Sequence, residues 1–283
     1  MGSTCIKKRP HSCRHLLHRT LLLRGRTMCL NIAILFLALL WIPTSCDVGC
    51  TRVKGALVQI DVGGGQVFGV NSANDIYTLY GSSWGQVPGK LQHVTVGPAG
   101  VWGVNKENNI FKLVAGKWVQ IPGLLKQIDA GGDEIVVGVN SHDHIYCLNK
   151  GSSIQPCREK SEWTQIPGSL KYYSCGPISC WGVNGRNNIY IRKGVTPAAC
   201  EGVGNWQHIG GALSMIEVGQ DGSVYGVNNV GNIYYRTGIT TEQPEGTDWA
   251  HIDLFSGQAK HVSFDLGHLW VVLKNGQIYV CIQ

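Results

Sequence analysis

One short motif recurs along this chain at near-regular intervals, and it constrains the fold more than any other feature. Gly-Val-Asn occurs five times, and its Asn residues follow one another at steps of 34, 35, 44 and 44 residues. A degraded sixth copy, Val271-Val272-Leu273, lies 45 residues after the fifth. Repetition at intervals of about 20 to 50 residues is typical of solenoids and propellers. The chain is therefore predicted to contain six copies of one supersecondary unit.

Each unit contains four short segments with the pattern of β-strands. In the third copy these segments are 126–130, 135–139, 145–148 and 163–166, and Gly, Asn and Asp residues separate them. Alternating polarity and β-branched residues favour strands, and the intervening residues favour turns. Four strands per unit are typical of a propeller blade. The predicted fold is all-β, a six-bladed β-propeller of four-stranded blades, without a convincing helix.

The two ends of the chain predict how the ring closes. The sixth copy stops at Gln283 after Ile278-Tyr279 and lacks the Trp segment that ends the other copies, whereas residues 50–55 resemble that segment. We therefore expect the N-terminal strand to complete the last blade. This arrangement places Cys50 beside Cys281, where the two can form a disulfide.

The remaining cysteines are paired by their closeness in sequence. Cys147 and Cys157 are expected to close one long loop, and Cys175 and Cys180 to close another. An odd cysteine count leaves at least one thiol free or bonded to another chain. Cys200 is the predicted unpaired residue. Its candidate partners are Cys46, if the signal is cleaved before that residue, and a cysteine of a second chain in a disulfide-linked dimer.

The charge is concentrated in residues 1–46, which hold seven of the 24 Lys and Arg residues and none of the 18 Asp and Glu residues. This basic start, followed by an apolar run and small residues, predicts a secretory signal too short for a comfortable membrane span. Residues 47–283 then form a single domain with 17 basic and 18 acidic residues. A nearly neutral, secreted domain is not expected to bind nucleic acid or insert stably into a membrane.

The residues that recur with the motif are the candidates for a binding role. Asn often sets up a turn by bonding its own backbone, but its amide can also bond sugar hydroxyls. Trp residues either pack between blades or present a ring face to a sugar. A polar residue before each repeated Ile lies in a predicted turn and forms a second set. The candidates are Asn71, Asn105, Asn140, Asn184 and Asn228; Trp84, Trp118, Trp163, Trp206 and Trp249; and Asp75, Asn109, His144, Asn188 and Asn232.

Nothing in the sequence predicts an enzyme. The histidines lack the spacing of a zinc site. Asp61, Asp129 and Glu217 occupy equivalent strand positions, where the other copies carry Thr95, Ser174 and Ser263. Repetition of this kind differs from the unique cluster of perturbed side chains that an active site requires.

The motifs together resemble the tectonin repeat of the fish-egg lectin and tachylectin family, over residues 50–283. The matching features are Gly-Val-Asn, the following Ile-Tyr, and Trp-x-x-Ile-Pro-Gly-x-Leu. The resemblance implies a secreted lectin for N-acetylglucosamine-type sugars on microbial or egg-surface glycans, including bacterial lipopolysaccharide or peptidoglycan, in innate defence. Calcium is associated with some members. The chain has no calcium-loop motif, so no ligands are assigned and no cofactor is expected to be required.

Two copies depart from the family pattern. The sixth lacks Gly-Val-Asn, and the fifth lacks the Pro-Gly ending, which puts binding by those blades in question. Weak equivalent sites on one rigid ring would act together on a repetitive glycan and raise avidity by roughly 10² to 10⁴. The alternative is an extracellular propeller that binds protein partners and no sugar, and competition by free monosaccharide distinguishes the two.

Overall fold

The structure, a computed structural model, describes residues 49–153 and 163–283, which fold into six four-stranded antiparallel sheets. After β1 (Cys50–Val53), blade 1 comprises β2 (Gln59–Gly63), β3 (Gln66–Val70), β4 (Asp75–Tyr80) and β5 (Ser83–Lys90). Blade 2 comprises β6 (His93–Gly97), β7 (Gly100–Val104), β8 (Asn109–Val114) and β9 (Lys117–Leu124). Blade 3 comprises β10 (Gln127–Asp129), β11 (Val136–Val139), β12 (Ile145–Leu148) and β13 (Thr164–Ile166).

The later blades follow the same order. Blade 4 comprises β14 (Tyr172–Cys175), β15 (Cys180–Val183), β16 (Asn188–Lys193) and β17 (Val203–Ala212). Blade 5 comprises β18 (Met215–Val218), β19 (Val224–Val227), β20 (Ile233–Arg236) and β21 (Trp249–Ile252). Blade 6 comprises β22 (Ala259–Asp265), β23 (His268–Leu273) and β24 (Ile278–Ile282), and β1 is its fourth strand. The first strands of neighbouring blades contact one another around a closed inner ring, so the predicted six-bladed propeller is confirmed.

The N-terminal strand closes the ring as expected from the sequence. β1 pairs with β24 in antiparallel register, with Cys50 opposite Cys281 and Val53 opposite Ile278. A disulfide joins Cys50 and Cys281 across a sequence separation of 231 residues. The last blade is therefore assembled from both ends of the described chain and locked covalently.

One of the other two predicted disulfides is confirmed and one is wrong. Cys175 and Cys180 are bonded, but Cys147 is bonded to Cys200 and not to Cys157, which lies outside the described residues. Cys147 lies on β12 of blade 3, and Cys200 lies in the long connection before β17 of blade 4. Adjacent blades bring these segments together, and the Lys150 amide donates to the Pro197 carbonyl at 3.0 Å. Cys200 is therefore not available for a bond between two chains.

Helical structure within the described residues is limited to α1 (Lys150–Ser153) and one 3-10 turn, Phe255–Gly257. No helix among these residues is long and apolar enough to cross a membrane. The predicted leader, residues 1–46, lies outside the described part of the chain.

The Gly of each Gly-Val-Asn motif allows close packing beneath the connection between blades. A Cβ atom at Gly182 would lie 2.4 Å from a methyl group of Leu170 and 2.9 Å from the Tyr172 carbonyl oxygen. The same Gly and Leu pairing occurs in blades 1, 2, 3 and 5. Real side chains do not approach so closely, so a full-sized Leu above the strand requires glycine below it.

Blade 6 satisfies the same packing requirement with a different pair. Val271 replaces the motif Gly, and Ala259 occupies the position of the Leu, as the pairing of Ala259 with Leu273 and Val262 with Val271 shows. Both residues are buried. Total side-chain volume is thus kept roughly constant, which is the kind of exchange that cores tolerate best.

Candidate functional site

Four similar cavities lie at junctions between consecutive blades, all on the face where the fourth strand of one blade leads to the first strand of the next. Their volumes are about 200 Å³ between blades 6 and 1, 280 Å³ between blades 2 and 3, 230 Å³ between blades 3 and 4, and 290 Å³ between blades 4 and 5. We call these four cavities the clefts. Because all four are built from one repeat pattern, the chain presents one kind of site several times.

Each cleft takes its walls from both neighbouring blades. The preceding blade supplies the Ile of its third strand and the Gly-x-Leu segment at or just after the end of its fourth strand. The following blade supplies an Asn, a Tyr and a Trp. These residues are Asn71, Tyr77 and Trp84; Asn140, Tyr146 and Trp163; Asn184, Tyr190 and Trp206; and Asn228, Tyr234 and Trp249. The clefts therefore combine an apolar floor with a small number of polar groups, as ligand sites commonly do.

The Trp of each cleft is fixed by contacts to the preceding blade. The indole N–H of Trp206 donates to the Pro167 carbonyl at 2.7 Å, and Trp84, Trp163 and Trp249 make the equivalent bond at 2.7 to 2.9 Å. The indole edge lies against Gly168, whose φ of +129° favours glycine and whose missing Cβ would lie 2.8 Å from the indole nitrogen. These Trp residues therefore pack between blades and also line the clefts.

The Asn of each cleft has one half of its amide committed to a turn. The Asn184 Oδ1 accepts the backbone N–H of Arg186 at 2.9 Å and of Asn188 at 3.0 Å, and the same pattern recurs in the other four copies. Within the described residues, Nδ2 of Asn184 bonds to no protein atom. The turn explanation is therefore correct for the oxygen. One amide N–H of Asn71 donates to Asp75 Oδ2 at 3.1 Å, whereas among the described residues the amide N–H groups of Asn140, Asn184 and Asn228 stay available as donors.

The second candidate set lies outside the clefts. Asp75, Asn109, His144, Asn188 and Asn232 stand at or just before the start of the third strands and do not line the four cavities. Asp75 accepts a hydrogen bond from Lys90 at 2.5 Å, and this bond lowers the pKa of its carboxyl. These residues shape the turns beside the clefts.

The junction of blades 1 and 2 keeps Asn105 and Trp118 but differs at two positions. Phe111 replaces the Tyr, so the phenolic hydroxyl is lost. Trp118 is half-buried, and its indole nitrogen has no hydrogen-bond partner among the described residues. The side chain that follows the Pro-Gly segment is Lys90, which pairs with Asp75. This junction therefore presents a different set of polar groups from the four clefts.

The junction of blades 5 and 6 is filled by protein side chains. Leu273 replaces the Asn, and Cys50 lies opposite Cys281 at the position where the other blades carry Trp. Phe255 packs on Tyr279 with ring centroids 4.7 Å apart. Both departures from the repeat pattern therefore lie at this junction: the fifth copy lacks its Pro-Gly there, and the sixth lacks its Gly-Val-Asn.

The candidates selected from the sequence include neither the cleft Tyr nor the Gly-x-Leu segment of the preceding blade. The Ile-Tyr pair and the Pro-Gly-x-Leu ending were both visible as repeats. What the sequence could not show is that a cleft joins the ending of one repeat to the motifs of the next.

The inner ring carries acidic and hydroxyl side chains in alternation: Asp61, Thr95, Asp129, Ser174, Glu217 and Ser263. All six are buried. The carboxylates link neighbouring blades, since Asp61 accepts the Val96 N–H at 2.7 Å and Asp129 accepts the Cys175 N–H at 2.9 Å.

Burial is the main cause of perturbed pKa values in this inner ring. It raises the pKa of Asp61 to about 6 and, together with the nearby charge of Asp61, raises the pKa of Asp129 to about 7. Burial also raises the pKa of Glu217 well above its usual range. Because their oxygens are bonded to other blades, these carboxyl groups hold the ring together.

The described residues offer one close group of potential metal-ligating side chains, and this group does not match the ligands that calcium prefers. Their one compact trio of potential metal ligands combines Glu201 with Cys147 and Cys200. The two sulfur atoms are bonded to each other, and calcium requires about six to eight oxygen ligands.

Fold and clefts together define a class of protein: a six-bladed propeller with similar clefts repeated between its blades. The Tectonin domain family model matches residues 56–274. The chain is also 54% identical over 233 residues to fish-egg lectin from Cyprinus carpio, covering 82% of this chain and 98% of that protein. The chain therefore belongs to the tectonin family.

Solved structures of low sequence identity share the fold alone. Virginiamycin B lyase from Staphylococcus aureus superposes with a TM-score of 0.54 at 12% identity, covering 83% of this chain and 99% of that chain. YCF48 from Cyanidioschyzon merolae gives a TM-score of 0.51 at 15% identity, covering 83% of this chain and 85% of that chain. These likenesses support the propeller architecture and carry no functional argument.

Proposed function

We propose that the chain is a multivalent lectin that binds N-acetylglucosamine-type sugars in the four clefts. The observation that carries this proposal is the fourfold recurrence of one Asn, Tyr and Trp constellation over an apolar floor. The relative of 54% identity is a fish-egg lectin by name. The chain acts as a binding protein and not as an enzyme.

The polar groups of a cleft suit an acetamido sugar. The Asn184 Oδ1 already accepts two backbone N–H groups of the turn, so the side-chain amide can donate to a ligand but not accept from it. A carbonyl oxygen of an N-acetyl group is an acceptor that matches such a donor. The methyl group of the same substituent would pack on the apolar floor formed by Ile145 and Leu170, and the Tyr190 hydroxyl would bond a ring hydroxyl.

Repetition compensates for weak single sites. A monosaccharide bound with a millimolar constant contributes only about 4 kcal/mol of binding free energy. Several clefts on one rigid face would engage a repetitive surface glycan together, with a gain in avidity of roughly 10² to 10⁴. Microbial or egg-surface glycans, including lipopolysaccharide and peptidoglycan, are the proposed targets, in a role in innate defence.

Secretion is part of the proposal. The described residues contain three disulfides, which persist in oxidising compartments. The basic and apolar leader predicted from residues 1–46 would direct the chain there.

Retention on immobilised N-acetylglucosamine, with elution by the free sugar, tests the proposal. A variant with Tyr→Phe at positions 77, 146, 190 and 234 copies the ring found at Phe111 in the junction of blades 1 and 2. We expect this variant to lose retention while keeping its fold, because only hydroxyl groups are removed. Tyr279→Phe is the matched control, since Tyr279 holds the same repeat position at the filled junction.

Two results would reject the lectin proposal. One is no retention of the wild-type protein on this sugar or on a wider glycan panel, and the other is equal retention of the fourfold variant. Elution in the presence of a calcium chelator tests the cofactor separately, and we expect no change.

A further inference from the structure

A fifth cavity lies between blades 6 and 1 on the opposite face from the clefts. It has a volume of about 190 Å³ and lies where the first strand of each blade turns into the second. Blade 1 contributes Val62, Gln66 and Val67, and blade 6 contributes Leu266, His268 and Trp270. We call it the far-face cavity.

Trp270 lines this cavity and differs from its counterparts in other blades. Trp102 and Trp181 occupy the equivalent strand position, are fully buried, and donate their indole N–H groups to Ala99 and Ser179 of their own turns at 2.9 and 3.0 Å. Trp270 is only half-buried, and within the described chain its indole N–H bonds to no protein atom. It therefore presents both an aromatic surface and a free donor.

Tight turns border the cavity on both sides. Blade 1 turns through Gly64 and Gly65, with φ of +58° and +74°, and a Cβ atom at Gly64 would meet nothing within 4 Å. On the blade 6 side, Leu266 adopts φ of +50° and is 71% exposed. Leu266 and Gly267, with φ of +50° and +76°, form the two-residue turn between β22 and β23, a turn type that requires positive φ at both positions. This turn places the Leu266 side chain beside the cavity.

Polar groups complete the lining. Asp265 is buried and anchored, because its Oδ2 accepts the Gly65 N–H at 2.9 Å, and its Oδ1 bonds to no other described residue. His268 Nδ1 lies 2.9 Å from the Leu266 carbonyl. This contact places the proton on Nδ1 of the neutral ring and makes Nε2 an acceptor. Gln66 offers both a donor and an acceptor.

We propose that the far-face cavity binds a single saccharide ring, with Trp270 as its stacking surface. An aromatic ring beside a carboxylate, an amide and an imidazole matches a ligand with one apolar face and several hydroxyl groups. The cavity volume is close to the 200 Å³ of the smallest cleft. Because it lies on the other face, a chain bound to one glycan surface through its clefts would capture a second surface.

This bridging role rests on the proposed lectin function, whereas the far-face site itself does not. Both can be followed in one experiment with protein labelled with 5-fluorotryptophan, whose fluorine NMR resonances are assigned by single Trp→Phe substitutions. The protein is titrated with N-acetylglucosamine and a panel of hexoses and acidic sugars. Trp102 is buried and serves as an internal control for the fold.

We expect the Trp270 resonance to shift and saturate with at least one saccharide while the Trp102 resonance stays fixed. A Trp270 resonance that is unchanged across the panel, while the cleft Trp206 resonance moves, would overturn the far-face site and leave the lectin proposal intact. Movement of Trp270 alone would support the site and reject the proposed clefts.

A bridging assay gives a second readout. Trp270→Ala should keep its retention on immobilised sugar but lose at least tenfold in the clumping of large sugar-coated beads. A monomer cannot reach a second bead through clefts that face the first. Undiminished clumping by a Trp270→Ala variant shown to be monomeric would contradict the proposal.

Discussion

The disulfide between Cys50 and Cys281 should be the largest single covalent contribution to stability. It closes a loop of 231 residues, and loop-closure entropy for that length gives about 5 kcal/mol. The disulfide between Cys175 and Cys180 spans only 5 residues, for which the same relation gives about 2 kcal/mol. The difference arises because the first bond keeps β1 close to β24 in the unfolded chain.

Two double Ala variants test this difference, one lacking Cys50 and Cys281 and the other lacking Cys175 and Cys180. At roughly 2 to 4 °C per kcal/mol for a domain of this size, the first variant should melt about 10 to 20 °C below wild type and the second about 4 to 8 °C below. Thermal unfolding followed by circular dichroism under non-reducing conditions measures both. The second variant is the control, because it also removes two half-cystines.

Hydrogen exchange provides a structural check on the same variants. Loss of the ring-closing disulfide should let β1 open before the other strands, so that exchange of amides in Cys50–Val53 becomes the fastest among all strands. Equal melting shifts for the two variants would refute the reasoning, because the loss would then be independent of loop length.

Three further predictions follow from the inner ring, the core and the corrected disulfide. Burial raises the pKa of Asp129 from 3.8 to about 7, so the folded state keeps a proton that the unfolded chain releases above about pH 4. Stability from this group is therefore present below pH 4 and lost as pH rises towards 7. In urea denaturation, Asp129→Asn should make the fall of the unfolding free energy over this pH range less steep, by up to about 1.4 kcal/mol per pH unit. The same pH dependence in the variant and the wild type would contradict the raised pKa of Asp129. Gly182→Val should destabilise by at least roughly 1 to 3 kcal/mol, and adding Leu170→Ala, as in blade 6, should recover part of the loss in chemical denaturation. If the losses of unfolding free energy from the two single substitutions simply add in the double variant, Gly182 and Leu170 are not coupled and the packing explanation is wrong. Peptide mapping without reduction should yield a Cys147–Cys200 peptide, and removing that bond should cost about 4 kcal/mol for its loop of 53 residues.

Features that recur from one repeat copy to the next could be predicted from the sequence. The spacing of Gly-Val-Asn predicted six four-stranded blades, and the match of residues 50–55 to the missing last segment predicted ring closure and the Cys50–Cys281 bond. Both depend on local periodicity, which a single sequence displays directly.

Features that arise between copies could not be predicted in this way. Cys157 is the cysteine nearest to Cys147 along the chain on its C-terminal side, but the propeller brings Cys200 of the next blade against it. The clefts were missed for the same reason. Asp75 was selected as a turn residue beside a motif, whereas Tyr77 lines a cleft completed by Leu57 from the preceding connection.

Ring closure and cleft formation compete for the same position in blade 6. The fourth strand of a blade supplies the Trp wall of a cleft, but in blade 6 this strand comes from the other end of the chain and carries Cys50 at the Trp position. A strand joined to its blade only by hydrogen bonds can separate at low cost, and the disulfide prevents this. Without a Trp wall at the junction of blades 5 and 6, a motif Asn in blade 6 and a Pro-Gly segment in blade 5 have no cleft to line. Phe255 packs on Tyr279 at this junction instead. The number of clefts is therefore limited by the way the ring is closed, and a circular permutant with new ends elsewhere would remove this constraint.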